Sequence, residues 1–254
     1  MSITVEICLK TLHPIVTYPA SIKTTYNCSG PYWATMTPNR EKVGVSVVTT
    51  TWNERENIEE LISRIRETLK DIEYEIIVVD DNSSDGTLEV AKKLADVAVG
   101  KVREGQTKGL LYGAKLAKFP LIVTIDSDLE NSPEFILNLI EKLDLYDLVV
   151  ASRTTLPRIS EWWAAKTLGK ICGVSDFYSN FRAYKRRAFP ANLNGGETFG
   201  GELVILAKKS GCKIGELKYE APPRRIRPRI GGSFRANWRI TVASWKCFVI
   251  YFFK

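Results

Sequence analysis

Two aspartates one residue apart, Asp126 and Asp128, end the apolar run in "KFPLIVTIDSDLENSP". At alternate positions of an extended segment both carboxylates point to one side, where they repel each other unless a positive charge lies between them. The plainest account is a solvated acidic loop capping the next helix, since Asn131 or Ser132 opens "NSPEFILNLIEKL" with Pro133 just inside it. That explains the Asn and the Pro but not why the acids sit at a strand end. Clustered carboxylates without His or Cys beside them suit a hard divalent cation, Mg²⁺ or Mn²⁺, which keeps water and binds one or two carboxylates together with substrate phosphates. A nucleotide diphosphate complements such a site.

Other chemistries find less support. The single histidine, His13, lies next to Pro14 in an irregular stretch and reads as a surface or packing residue. Five cysteines (Cys8, Cys28, Cys172, Cys212, Cys247) are odd in number, scattered and without a CxxC pair, so neither a disulfide framework nor a zinc site is expected, and a reducing compartment fits. No GxGxxG follows the first strand and no GxxxxGK[ST] occurs, which excludes a dinucleotide-binding first turn and a P-loop. The Gly-spaced "GKVREGQTKGLLYG" reads as loop and helix punctuation as readily as a phosphate contact. Asp85 and Gly86 read as turn and cap residues. The sequons at Asn27 and Asn82 are short patterns, and the second falls inside the expected site.

The elements that must position these residues show in the periodicity. "VGVSVVTT" and "YEIIVVDD" are strands, and between them "NERENIEELISRIRETLK" places Ile58, Leu61, Ile62, Ile65 and Leu69 on one helix face. There follow a helix in "SDGTLEVAKKLA", a short strand near "DVAVGKV", a helix near "TKGLLYGAKLA", the strand "PLIVTID", the helix "PEFILNLIEKL" and the strand "YDLVVAS". Alternating strands and helices with nearly continuous apolar strands predict an α/β fold, a mostly parallel sheet with helices on both faces. Four strands then end in polar groups: Thr51-Trp52-Asn53-Glu54, Asp80-Asp81-Asn82, Asp126-Ser127-Asp128 and Ser152-Arg153. Ligands of open α/β sheets bind outside such carboxyl ends.

Charge is concentrated at one end. Of 36 basic residues, eight (Arg224, Arg225, Arg227, Arg229, Arg235, Arg239, Lys246, Lys254) follow Glu220 with no acid among them, leaving 28 against 29 acidic residues before it. A near-neutral body with a basic end points to a local anionic partner. "SFRANWRITVASWKCFVIYFFK" spaces Trp238, Val242, Trp245, Val249 and Phe252 by three and four, the pattern of a core-packing helix or of an amphipathic helix lying on a membrane. Nucleic acid is not expected, because these charges are interleaved with aromatics and no nucleic-acid motif accompanies them. No apolar run is long enough to span a bilayer, and no signal peptide is expected. The expected division is 1–42 as an extension of unknown role, 43–233 as the α/β domain and 234–254 as a C-terminal amphipathic or juxtamembrane helix.

"VVTTTWNERENIEEL", "EIIVVDDNSSDGT", "KGLLYGAKLA", "IDSDLENSPEFI", "VVASR", "DFYSNFRAY" and "RPRIGGSF" together resemble, in order and spacing over residues 43–235, the family 2 glycosyltransferases of the GT-A (Rossmann-like) fold. Within that family they are similar to the dolichyl-phosphate mannose or polyprenyl-phosphate glucose synthases. The resemblance implies that Trp52 and Glu54 flank a nucleobase and that Asp80 or Asp81 accepts its ring N–H, with Thr51 and Ser127 also on the substrate side. It implies that Asp126 and Asp128, joined by Glu130, hold Mg²⁺ or Mn²⁺ on the diphosphate, and that Arg153, Arg182 and Arg229 face phosphate. Arg182 reads equally as a structural ion-pair partner. The chain departs from the family at Thr50 and Trp52 (usually Pro and Tyr), at Asn180 (usually Gly, with Asn tolerating a left-handed backbone better than most non-Gly residues) and at Glu130 (often Gln).

The resemblance thus implies inverting transfer of a hexose, from a GDP-mannose or UDP-glucose type of donor, to a polyprenyl phosphate at the cytoplasmic face of a membrane. Attachment there is expected to be peripheral or through the C-terminus. A hydroxyl acceptor would instead need a general base, for which Glu202 is the candidate. A non-catalytic nucleotide-sugar-binding membrane protein is a further alternative, disfavoured by the intact Asp126, Asp128 and Arg153.

Overall fold

The computed structural model describes residues 43–156, 158–193, 196–221 and 233–253. The expected extension 1–42 and the arginines at 224, 225, 227 and 229 lie outside the described residues.

Seven strands form one sheet in the order β3-β2-β1-β4-β6-β5-β7. β1 (Val45–Thr51), β2 (Tyr74–Asp80), β3 (Val97–Gly100) and β4 (Leu121–Asp126) make the parallel half, with Thr51 level with Asp80 and Thr50 level with Asp126. That register brings the three polar strand ends to one edge. β5 (Leu148–Arg153) and β7 (Ile214–Tyr219) are parallel to each other, and β6 (Arg182–Lys185) runs antiparallel between β4 and β5. β6 was not legible as a strand: only four residues long, it carries an Arg and a Lys where the strands of the parallel half are nearly continuous apolar runs.

α1 (Arg55–Leu69) buries Ile58, Leu61, Ile62, Ile65 and Leu69, the face its spacing predicts. With α2 (Thr87–Leu94), Gly86 at φ 87° opens the helix and Asp85 accepts the Thr87 N–H at 3.0 Å. α3 (Gln106–Leu116) lies close on β1 because of its glycines: a Cβ at Gly113 would meet Val48 at 2.4 Å and one at Gly109 would meet Thr50 at 2.7 Å. Gly109 and Gly113 of this segment therefore serve helix–sheet contact. A 3₁₀ turn (Pro133–Phe135) leads into α4 (Ile136–Lys142).

After β5, α5 (Ile159–Ala164) continues through a π turn (Ala165–Gly169) to α6 (Lys170–Cys172), and α7 (Gly201–Lys209) precedes β7. α8 (Ser233–Phe253) packs through Ala236, Ile240, Ala243, Cys247 and Ile250, a buried seam at alternating spacings of four and three. The aromatic stripe read from sequence is the opposite face: Trp238 is 64% and Trp245 67% exposed. No described helix is long and apolar enough to cross a membrane.

Candidate active site at the carboxyl edge of the sheet

A cleft of about 690 Å³ opens over the carboxyl ends of β1, β2, β4 and β5. Of the residues expected there, Thr51, Trp52, Glu54, Asp81, Asp126, Ser127, Asp128, Glu130 and Arg153 line it.

Asp126 ends β4, and the chain turns at once, so Asp128 reaches the cleft from a turn rather than from the strand. The turn is fixed by Leu129, whose side chain is buried in the core while its backbone is left-handed at φ 59°. An L residue there costs about 1–2 kcal/mol, and strain of this kind gathers at functional sites. Two side-chain amides orient Asp126: Gln106 donates to Oδ1 and Asn131 to Oδ2. Asn131 is in turn held by the Tyr219 hydroxyl. Asn131 is thus a clamp on the carboxylate, and Ser132 takes the cap position before Pro133.

Burial pushes the Asp126 carboxyl up, with the Glu130 charge adding and the Gln106 hydrogen bond opposing. Burial, then Asp126 and Glu130, push Asp128 up to about 7. Such mutual repulsion is what a cation would relieve, so the donor set fits Mg²⁺ or Mn²⁺. Among the described residues, however, no three His, Cys, Asp or Glu side chains form a self-sufficient ligand group. The expected trio Asp126, Asp128 and Glu130 is therefore an incomplete site, with both Asp126 oxygens engaged by amides, and it would need substrate phosphates to finish it.

At the nucleobase end, the alternatives Asp80 and Asp81 separate. Asp80 is buried and accepts from Thr51 Oγ1 (2.9 Å) and from the Ser83 N–H (2.8 Å), tying the β1 and β2 ends together. Asp81 lines the cleft and accepts the N–H groups of Glu104 (3.0 Å) and Gly105 (3.1 Å) as well as Lys101 Nζ. Trp52 is half-buried, with the Arg103 guanidinium 3.4 Å from its ring centroid. Asn53 and Asn82 are the left-handed asparagines of this edge, at φ 56° and 64°. Asn180 is not left-handed, so its substitution for Gly does not exploit that tolerance.

Arg153 lines the cleft already partnered: Nε donates to Asp176 at 2.6 Å, and Nη2 reaches Asp176 at 3.3 Å and Glu161 at 3.5 Å. Burial works against its charge, and the Asp176 hydrogen bond and charge outweigh it, raising its pKa. Glu161 also accepts Arg158 Nη1 at 2.6 Å.

Arg182 lies behind the cleft wall. It is fully buried at the start of β6, donating to the carbonyls of Gly200 (2.7 Å) and Phe177 (3.1 Å). Nη1 also donates to the Tyr184 hydroxyl at 3.3 Å, and Arg182 is not among the residues that line the cleft, where it was expected to face phosphate. Glu202, the base candidate for a hydroxyl acceptor, is fully buried in the first turn of α7 and is not among the residues that line the cleft. Arg229 lies outside the described residues. From the sequence Asn131 reads only as a helix cap and Arg239 only as part of the basic end, and Gln106, Arg103, Arg158 and Tyr178 carry no assignment, yet all six line the cleft. For Gln106 a signal existed, since it opens a helix directly after a strand of the parallel half.

The model of Glycosyl transferase family 2 matches residues 46–201. The chain is similar to a dolichol-phosphate mannosyltransferase of Pyrococcus furiosus, 44% identical over 115 residues, which cover 43% of this chain and 33% of that protein. It is also similar to an undecaprenyl-phosphate 4-deoxy-4-formamido-L-arabinose transferase of Aeromonas hydrophila, 33% identical over 168 residues, covering 59% of this chain and 51% of that one. The chain thus spans about a third of the length of the first of these relatives and about half of the second. Among solved structures it is similar to glucosyl-3-phosphoglycerate synthase from Mycobacterium tuberculosis in complex with Mn²⁺, UDP and glucosyl-3-phosphoglycerate. There the TM-score is 0.65 at 23% identity, covering 81% of this chain and 80% of that one, a likeness of fold. The same enzyme is also solved with Mg²⁺ and UDP.

Proposed function

The chain belongs to Glycosyl transferase family 2, and from that membership we propose that it moves a hexose from a nucleotide-diphosphate sugar to a polyprenyl phosphate, with inversion at the anomeric carbon. The observation that carries this reading is that one cleft is shared by Asp126 and Asp128 on one side and by α8, through Arg239 and Ile240, on the other. A helix with an aromatic outer face beside a diphosphate-type site suits an acceptor that is both anionic and lipid. The named relatives, which are polyprenyl-phosphate sugar transferases, support the same acceptor class.

Asp126, Asp128 and Glu130 are the residues that would hold Mg²⁺ or Mn²⁺, and a cation bound there would offset the charge of the departing diphosphate. Trp52 offers the nucleobase a ring, and Asp81, held by the 101–105 turn, borders it. Arg153, locked by Asp176, adds a fixed positive charge to the cleft. An acceptor phosphate oxygen forms the bond to the anomeric carbon as the bond to the diphosphate breaks. Because that oxygen arrives ionised, no protein base is required, in keeping with Glu202 lying out of the cleft.

Membrane attachment is part of the proposal. α8 turns Trp238, Val242, Trp245 and Phe252 outward, and α5, joined to it by Ser160 Oγ donating to Asn237 Oδ1 at 2.7 Å, adds Ile159, Trp162 and Trp163. Such an aromatic surface flanked by Arg235 and Arg239 fits peripheral docking on anionic lipid.

The test is incubation of the purified chain with a panel of labelled nucleotide sugars and a prenyl monophosphate, with and without divalent cation. Cation-dependent label in organic-extractable lipid is the expected outcome. Label only on a carbohydrate or protein hydroxyl would overturn the proposal.

A further inference from the structure

The arginines of the cleft fall into two classes. Arg153 and Arg158 are neutralised by Asp176 and Glu161. Arg103 and Arg239, among the described residues, have no carboxylate partner and lie instead over aromatic faces, Arg103 on Trp52 and Arg239 on Phe199 at 5.3 Å from the ring centroid. Arg103 belongs to the β1 end with the nucleobase side. Arg239 enters from α8, at the point where that helix turns from its outward aromatic face, Trp238, to the cleft-lining Ile240.

We propose that Arg239 is the residue that receives the acceptor's phosphate, with Phe199 as its fixed backing; this rests on the polyprenyl-phosphate reading above. A guanidinium lying over a ring keeps its N–H edge free in plane, where it matches a phosphate monoester bidentately. The backing ring is held with some insistence. Phe199 is left-handed at φ 49°, a conformation unfavourable for an L side chain. Glu197 Oε1 accepts its N–H at 2.6 Å, and Thr107 Oγ1 accepts the N–H groups of Thr198 (3.2 Å) and Gly200 (2.9 Å). The buried Arg182 secures the next carbonyl, that of Gly200. Strain maintained by so many partners is the kind found at ligand clamps.

The helix that carries Arg239 is fastened to the same wall. The Tyr178 hydroxyl lies 2.8 Å from Ser244 Oγ and donates to the Ile240 carbonyl at 3.4 Å, and Lys246 Nζ donates to the Glu197 carbonyl at 3.4 Å. An amphiphile whose tail lies along Trp238 and Trp245 would bring its headgroup to Arg239. No proton moves at Arg239, whose contribution is charge and a donor fork.

The test uses the full chain, a donor sugar that the wild type accepts, and two acceptors: a short-chain prenyl monophosphate, and a soluble hydroxy-acid phosphate carrying the same phosphate without the tail. Arg239→Gln is expected to raise KM for the prenyl monophosphate about tenfold to a hundredfold, the span of a charge-assisted hydrogen bond. kcat, donor KM and melting temperature should stay within a factor or shift that scatter explains, and Arg239→Lys should recover part of the loss. An unchanged prenyl-phosphate KM, or a rise in donor KM instead, overturns the assignment while leaving the reaction class intact. A rise confined to the soluble phosphate overturns the lipid source. Wild-type transfer to hydroxyls alone, with none to prenyl phosphate, overturns both the assignment and the reading it rests on.

Discussion

Asp128 and Arg182 show how differently two charged residues of one sheet can be used. Asp128 sits among like charges, so Asp128→Asn removes repulsion as well as the proposed cation ligand. The variant is expected to melt no lower than wild type without divalent cation, yet to lose the rise of about 5–10 °C that cation plus nucleotide diphosphate give at about 100 times Kd. A preserved ligand-induced rise, read by thermal melting, would separate Asp128 from the cation site. Arg182→Leu leaves the buried carbonyls of Gly200 and Phe177 unpaired and should cost about 2–5 kcal/mol in urea unfolding. A variant as stable as wild type but inactive would return Arg182 to the chemistry. The acids of the site were legible because a carboxylate pair closing an apolar strand has few bland explanations. The burial of Arg182 was not, because the same Ser-Asn-Phe-Arg segment suits a phosphate ligand or a backbone tie until the Gly200 loop that it holds is in view. Glu202, buried in the first turn of α7, follows the same logic.

Among the elements, α3 carries Gln106 to Asp126 only because two of its residues lack side chains. Gly113→Val would place a Cβ 2.4 Å from Val48 Cγ1 and 3.1 Å from Val79 Cγ2. The helix must lift, at a cost of about 1–3 kcal/mol for overpacking, and take Gln106 away from Asp126. Denaturant unfolding should register the first effect and weaker nucleotide binding the second. Normal binding in a destabilised variant would show that Gln106 is not needed to orient Asp126. The alternation of strands and helices from β1 to β5 was readable because both periods are strongly expressed there. β6 escaped because its pairing with β4 and β5 is non-local, and no periodicity in four residues can announce an antiparallel insertion. The α8 stripe was seen, but the sequence could not say which face packs: the buried seam uses the small residues Ala236, Ala243 and Cys247, whose weak hydrophobic signal is masked by the tryptophans opposite.

For the molecule as a whole, the question is what the aromatic surface of α5 and α8 rests on. Deleting α8 would strip the cleft of Arg239 and Ile240 and confound attachment with binding. Substituting Trp238→Ser and Trp245→Ser, both well exposed, separates them. The double variant is expected to lose co-sedimentation with phosphatidylcholine–phosphatidylglycerol vesicles while keeping nucleotide-diphosphate affinity. Wild-type binding should persist in part at about 1 M salt, where the Debye length is about 3 Å, because apolar burial carries most of it. Undiminished sedimentation of the double variant would exclude this face as the point of attachment. The fastening of α8 to the cleft wall through Tyr178, Ser244 and Lys246 then has a kinetic consequence. With the opening fixed to the surface proposed to dock on the bilayer, a lipid acceptor would be met by lateral travel in two dimensions. Turnover should therefore follow the mole fraction of prenyl phosphate among the lipids, and adding inert carrier lipid at constant total acceptor should slow the enzyme as if its substrate had been diluted.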